Sequence, residues 1–266
     1  MKTLLVDKKS GDSIKVKIKD LIIGGSEKII ISGPCSVENY ETMHNIAAQL
    51  KKMGVNMLRG GAFKPRTSPY DFQGLQHEGL KILKNVGDEV NLPIVTEIMD
   101  PREIENSLDY TDMIQVGSRN MYNYSLLKEL GAMKVPVLLK RGMSATLSEW
   151  LMAAEYILSM GNENVVLCER GIRTFESFTR NTLDLNSVAV IKQKYRLPVI
   201  VDPSHGTGIR ELVPSMSMAS IAAGADGLII ESHINPDNSL SDARQTISIE
   251  SLNKIVEGVK ILQSAL

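Results

Sequence analysis

The sequence predicts a single closed (β/α)8 barrel, an α/β fold of the TIM type, and three observations carry that prediction. Eight short β-rich runs alternate with eight helix-patterned segments. Most of the runs are continuous Ile, Val, Leu or Met rather than strict apolar–polar alternations, as strands covered on both faces should be. No linker or composition break interrupts the alternation, and 266 residues is an ordinary length for one such barrel. A doubly wound open sheet would need a glycine-rich phosphate loop after its first strand, and Gly33-Pro34-Cys35-Ser36 is not one.

In chain order the expected strands are 28–32, 55–59, 93–97, 113–117, 135–140, 164–169, 197–202 and 227–231, bounded by Gly, Pro, Asp or Ser. The expected helices are 40–53, 74–90, 101–108, 125–130, 146–160, 182–195, 209–223 and 249–262. Asp100 ahead of Pro101 is a good helix start, and Ser148-Glu149 opens another beside the only tryptophan, Trp150. Residues 28–266 thus form the catalytic barrel domain, and 1–27 an N-terminal extension. Within that extension, 3–7 and 13–18 alternate apolar and polar residues around Ser10-Gly11-Asp12, which predicts a β-hairpin. The hairpin is too short to be a regulatory domain. It is expected to cover the barrel bottom or a neighbouring subunit.

A formal charge of −1 with 23% charged residues gives no global field favouring nucleic acid or membrane, so any cationic site must be local. No apolar run approaches the roughly 18 residues of a membrane span, and the N-terminus loses its apolar character too early for a secretory signal. Two cysteines, Cys35 and Cys168, are too few for a disulfide framework. A cytoplasmic location is expected.

In a closed parallel barrel the carboxyl ends of the strands converge on one face, where active sites sit. Those ends carry Cys35; Arg59, Lys64 and Arg66; Glu97; Arg119; Lys140 and Arg141; Glu169, Arg170 and Arg173; Asp202 and His205; and Glu231 followed by Asp242. Alone, Cys35 reads as a small buried hydrophobe, His205 as a hydrogen-bonded imidazole and Asp242 as a helix cap. Together with Glu231 they come from strands that are consecutive around a barrel. A thiolate, an imidazole and two carboxylates suit one divalent Mn, Fe, Co or Zn ion. His233 is the competing imidazole, but two residues beyond Glu231 it is expected to support the shell or the fold. The clustered cations would repel one another unless an anion binds among them, and Arg pairs bidentately with phosphate. The long loop Gly60-Gly61-Ala62-Phe63-Lys64-Pro65-Arg66-Thr67-Ser68-Pro69 reads as a second phosphate clamp, separate from Arg119, Lys140 and Arg170. Lys140 also admits a Schiff-base reading, with Arg141 as the neighbouring cation that lowers its pKa.

The motifs Gly33-Pro34-Cys35-Ser36, Leu58-Arg59-Gly60-Gly61, Lys64-Pro65-Arg66-Thr67-Ser68, Gln115-Val116-Gly117-Ser118-Arg119, Leu139-Lys140-Arg141-Gly142, Cys168-Glu169-Arg170-Gly171, Asp202-Pro203-Ser204-His205 and Ile230-Glu231-Ser232-His233 resemble the 3-deoxy-D-arabino-heptulosonate-7-phosphate (DAHP) synthases. The likeness, over about 28–262, is to the branch related to the 3-deoxy-manno-octulosonate-8-phosphate synthases. It implies condensation of phosphoenolpyruvate with erythrose 4-phosphate, the first step of the shikimate route to aromatic amino acids. It also implies a homodimer or homotetramer. By this resemblance Cys35, His205, Glu231 and Asp242 hold the metal. Arg119, Lys140 and Arg170 take the phosphoenolpyruvate phosphate, and Arg59 faces its carboxylate. Lys64 stands at the reaction centre, with Glu97 orienting Lys64 or water. Pro65, Arg66 and Thr67 form the aldose phosphate clamp. Ser118 stands where the better-known branch has alanine, and its backbone N–H would serve. The octulosonate enzymes look like Lys-Ala-Asn-Arg-Ser in the clamp loop, so the loop here favours the shorter aldose. The octulosonate enzyme with arabinose 5-phosphate, and a non-catalytic phosphosugar-binding barrel, stay open as alternatives.

Overall fold

The computed structural model describes residues 3–64, 68 and 70–265. Its centre is a closed barrel of eight parallel strands: β3 (Ile29–Gly33), β4 (Met57–Arg59), β5 (Ile94–Glu97), β6 (Met113–Val116), β7 (Val137–Lys140), β8 (Val165–Glu169), β9 (Val199–Val201) and β10 (Gly227–His233), the last pairing with both β9 and β3. An antiparallel ribbon of β1 (Val16–Ile18) and β2 (Leu21–Ile23) precedes it, and β11 (Ile247–Ser248) adds to β10. Every barrel-strand residue except Glu97 is buried, as the continuous apolar runs require.

Around the barrel lie α1 (Tyr40–Met53), α2 (Gln76–Val90), α3 (Ile104–Leu108), α4 (Tyr124–Met133), α5 (Leu147–Ser159), α6 (Leu185–Lys194), α8 (Val213–Ala222) and α9 (Ile249–Ala265). The short α7 (Pro203–Thr207) is an extra turn at the end of β9. Helix α1 shows why such segments form. Asn39 caps it by accepting from the Thr42 N–H, Met43, Ile46, Ala47 and Leu50 make one buried stripe, and Gly54 ends it at φ +87°. Helix α5 starts from Thr146 rather than Ser148, in a reciprocal capping box with Glu149, and buries Trp150, whose indole N–H donates to the Leu139 carbonyl. The expected 101–108 helix divides into a 3₁₀ turn over Pro101–Glu103 and α3.

The hairpin is present but shifted along the chain from the expected one. Its turn is Lys19-Asp20, with Lys19 at φ +50°, while Ser10 ends a 3₁₀ turn (Lys8–Ser10). Residues 4–14 instead run along the barrel. Glu155 accepts from the Leu5 and Val6 N–H groups, and the Arg196 guanidinium donates to the Leu5 and Asp12 carbonyls. The hairpin's Val16, Ile18 and Ile23 join the barrel's own hydrophobic cluster, and Lys19 pairs with Asp112 at the amino end of β6, so the hairpin lies at the bottom.

Candidate active site

At the opposite, carboxyl-terminal face, Gly33 ends β3 in a conformation only glycine tolerates well. Its φ is +150°, and a Cβ there would sit 2.1 Å from the Arg59 carbonyl oxygen. The chain then turns inward to Cys35, which is fully buried. The Cys35 thiol donates to Asp242 Oδ2 at 3.0 Å, and Lys64 Nζ lies 2.9 Å from Sγ and 3.1 Å from the Cys35 carbonyl. Glu231, on β10, uses both carboxylate oxygens. Oε1 accepts from Arg59 at 2.7 Å and Oε2 from Gln245 at 2.6 Å, while the Glu231 N–H donates to Ser204 Oγ.

Cys35, Glu231 and Asp242 each bring a donor atom within 4.8 Å of the others. His205, on α7, stands just outside that group, with Nε2 3.6 Å from Glu231 Oε1 and Nδ1 2.7 Å from Asp202 Oδ2. Of the four predicted ligands, the structure gathers three tightly and aims the fourth at one of them. The protonation states fit a cation site. Burial, with help from Glu231, pushes the Cys35 thiol up to about 12. Burial alone would raise the Glu231 carboxyl, but His205, Arg59 and Lys64 outweigh it and hold it well below the carboxylate range. Burial likewise opposes ionisation of Asp242, yet the Cys35 hydrogen bond and the charge of His205 keep its carboxyl low. Burial lowers His205, so the ring that is charged in the acid range where those carboxyls titrate is neutral at neutral pH, with Nδ1 facing the Asp202 carboxylate and Nε2 able to bind. Two ionised carboxylates, a neutral imidazole and a thiol that ionises on binding make a fitting donor set for a divalent first-row ion.

Beside this cluster opens a cavity onto which Lys64, Glu97, Ser118, Arg119, Lys140, Arg170 and Arg180 all face. The cations differ in a way the sequence does not show. Arg59 pairs with Glu231, and Lys140 with Asp202 at 2.6 Å. Arg170 is only 3% exposed, yet among the described residues it makes no ion pair; its one hydrogen bond goes to the Gly171 carbonyl at 3.3 Å. Burial lowers its pKa; the nearby Asp202 carboxylate opposes this, and the like charge of Arg180 adds to it. Arg119, exposed on the 3₁₀ turn Ser118–Asn120, also lacks an ion pair among the described residues.

Several expectations are corrected. Arg141 follows Lys140 and so points to the other side of the strand, where Glu169 and Asp184 hold it near the Trp150 ring. That removes the neighbouring cation on which the Schiff-base reading of Lys140 rested. Arg173 is exposed and off the cavity. Glu97, expected to orient Lys64 or water, meets no such reversal: it accepts from Gln115 Nε2 at 2.8 Å and lines the cavity together with Lys64. His233 keeps the supporting role expected of it, with Nδ1 against the Asn235 backbone. Pro65, Arg66 and Thr67 lie outside the described residues.

Sequence reasoning missed Arg180 and Gln245. Arg180 sits in a loop without periodicity. Gln245 follows Asp242 by three residues, a spacing that could have flagged it.

Fold and site together define a (β/α)8-barrel enzyme with a cation-lined mouth. The model of the DAHP synthetase I family matches residues 11–266, and the chain belongs to that family. A phospho-2-dehydro-3-deoxyheptonate aldolase of Thermotoga maritima is 46% identical over 251 residues, covering 94% of this chain and 74% of that protein. The crystal structure of a Thermotoga maritima DAHP synthase superposes with a TM-score of 0.96 at 44% identity, covering 100% of this chain and 78% of that one. A 2-dehydro-3-deoxyphosphooctonate aldolase of Xylella fastidiosa is 30% identical over 250 residues, covering 86% of this chain and 88% of that protein. Among the described residues no helix is long and apolar enough to cross a membrane.

Proposed function

We propose that this chain condenses phosphoenolpyruvate with erythrose 4-phosphate, giving 3-deoxy-D-arabino-heptulosonate 7-phosphate and phosphate, with one divalent ion held by Cys35, His205, Glu231 and Asp242. One observation carries the reading: Asp242 and His205 of the donor set line the same cavity as Arg170, a buried guanidinium with no ion pair among the described residues. The 46% identity to a heptonate enzyme, against 30% to an octonate one, supports the shorter aldose.

An ion in that cluster would supply Lewis acidity toward the aldehyde oxygen. The chain's own residues do the rest. Arg170, Arg119 and Lys140 hold the phosphoenolpyruvate phosphate, fixing its nucleophilic carbon against the aldehyde. Burial alone would lower the Lys64 ammonium, but Cys35 and Glu231 beside it prevail and keep its pKa raised. Lys64 is therefore a charged proton donor for the aldehyde oxygen. Once the nucleophilic carbon has bonded to the aldehyde carbon, Glu97, oriented by Gln115, would hold the water that adds to the adjacent, phosphate-bearing carbon and take its proton. Phosphate then leaves by C–O cleavage.

Supplying phosphoenolpyruvate with either erythrose 4-phosphate or arabinose 5-phosphate and measuring phosphate release tests this directly. Release with the four-carbon aldose is expected. Preference for the five-carbon sugar would favour the octulosonate reaction, and no release with either would leave a binding barrel.

A pH dependence follows from the donor states. Above neutrality Glu231 and Asp242 are already ionised and His205 already neutral, while Cys35 keeps its proton up to about 12. Uptake of an ion should thus release one proton, and apparent affinity should rise about tenfold per pH unit between about pH 7 and 9. Calorimetry in buffers of different ionisation enthalpy measures that proton; a count near zero would remove Cys35 from the ligands.

A further inference from the structure

Between β8 and α6 runs a loop that contributes none of the predicted ligands, yet it touches Asp242 and the His205 backbone directly and reaches Glu231 through Gln245. Arg180 Nη1 donates to Gln245 Oε1 at 2.8 Å and to Asp242 Oδ1 at 3.3 Å, and Gln245 Nε2 passes the contact on to Glu231 Oε2 at 2.6 Å. The next residue, Asn181, donates to the His205 carbonyl at 2.8 Å. We propose that Arg180 and Gln245 are positioning residues for the two carboxylates of the donor cluster, so that this loop sets the affinity for the ion. The inference rests on the metal reading above.

The orientation of Gln245 is the centre of the argument. The residue is 2% exposed, so water cannot replace a lost partner. Its amide has one arrangement that satisfies both neighbours, oxygen toward the guanidinium and nitrogen toward the carboxylate. The reverse would set donor against donor and oxygen against oxygen. Arg180 therefore fixes which end of the amide Glu231 meets, and Glu231, gripped on its other oxygen by Arg59, has both oxygens assigned.

Arg180 is itself held. Its N–H donates to the Thr207 carbonyl at 2.9 Å. Gly208 lies at φ +68°, and a Cβ there would sit 2.4 Å from the Arg180 Cβ, so only glycine lets the side chain pass. Asp242 is pinned from its other side. Its backbone takes the left-handed φ of +53°, uncommon for a residue with a side chain. The Gln245 and Thr246 N–H groups, donating to its carbonyl at 3.1 and 3.2 Å, lock that conformation. The ion pair to Asp242 alone would be weak, since Arg180 is 37% exposed; the buried relay through Gln245 gives it leverage.

Mn²⁺ titration by calorimetry of wild type, Arg180→Ala, Gln245→Ala, Gln245→Met and the double alanine variant tests the relay. Each single change is expected to weaken Mn²⁺ binding about 10–100-fold, as loss of an outer partner of a ligand does. The double variant should lose little more than the worse single one, because both act through one chain of bonds. Gln245→Met keeps the volume, so loss there isolates the hydrogen bond from packing. Wild-type Mn²⁺ affinity in Arg180→Ala and Gln245→Met, with only the KM of a phosphorylated substrate raised, would overturn the inference and make Arg180 a substrate contact. A wild-type protein that binds no Mn²⁺ would instead overturn the metal reading, and this inference with it.

Discussion

Replacing Cys35 by alanine is expected to cut turnover about 10³-fold or more while the barrel stays folded. Lewis-acid stabilisation of a developing alkoxide is worth several kcal/mol, and each 1.36 kcal/mol is about tenfold in rate. The surroundings of Cys35 argue that the loss will be chemical and not structural. Alanine removes one buried sulfur, a cavity costing about 1 kcal/mol. Lys64 keeps its bond to the carbonyl of residue 35, which alanine preserves, and Asp242 keeps its contact with Arg180. Treating the wild type with a chelator should produce the same loss, reversed by adding back Mn, Fe, Co or Zn, whereas the variant should not recover. Metal content by mass spectrometry, read beside the rate, decides the matter. Full-speed turnover after chelation would sink the assignment, and so would an active variant carrying a full complement of ion.

How much of this was legible beforehand depended on which interactions each feature needs. The barrel was legible because burial on both faces writes itself into a strand locally: 137–140 and 165–169 are apolar without alternation up to their charged ends. Helix α1 runs over the expected 40–53 because its cap, stripe and terminal glycine are all local signals. The hairpin was displaced because Ser10-Gly11-Asp12 and Lys19-Asp20 can both turn a chain. Its register was settled by burying Val16, Ile18 and Ile23, a tertiary effect. At the site, closure of the barrel turns order along the chain into convergence in space, so Cys35, Glu231 and Asp242 could be placed together. What stayed hidden was which cations remain free. Arg59, Lys140, Arg141 and Arg170 look alike at strand ends. Only the packing shows that Glu231, Asp202 and the Glu169–Asp184 pair take the first three.

That remaining arginine supports the second large effect: Arg170→Met should make the protein more stable and nearly unable to use phosphoenolpyruvate. Leaving a buried polar or charged group short of hydrogen-bond partners costs about 1–3 kcal/mol. Arg170 has no ion pair among the described residues, so exchanging it for an apolar group of similar volume should recover about that much. In a chain of this size that corresponds to a rise of roughly 2–4 °C in Tm per kcal/mol. Asp202 would not be orphaned by the change, since Lys140 and His205 both still hold it. The functional loss follows from the same geometry. Charge-assisted hydrogen bonds are worth about 1.5–3 kcal/mol each, so losing two to a phosphate should raise the KM for phosphoenolpyruvate about 10²-fold or more. Inorganic phosphate gives an independent check by scanning calorimetry. A ligand present at 100 times its Kd stabilises by about 2.7 kcal/mol, so phosphate should raise the Tm of the wild type and leave that of Arg170→Met nearly unmoved. A less stable variant that phosphate still protects would mean that Arg170 is a structural cation with its own internal partners. A more stable variant blind to phosphate would mean that the barrel tolerates an unfavourable charge in its mouth because the substrate neutralises it on binding.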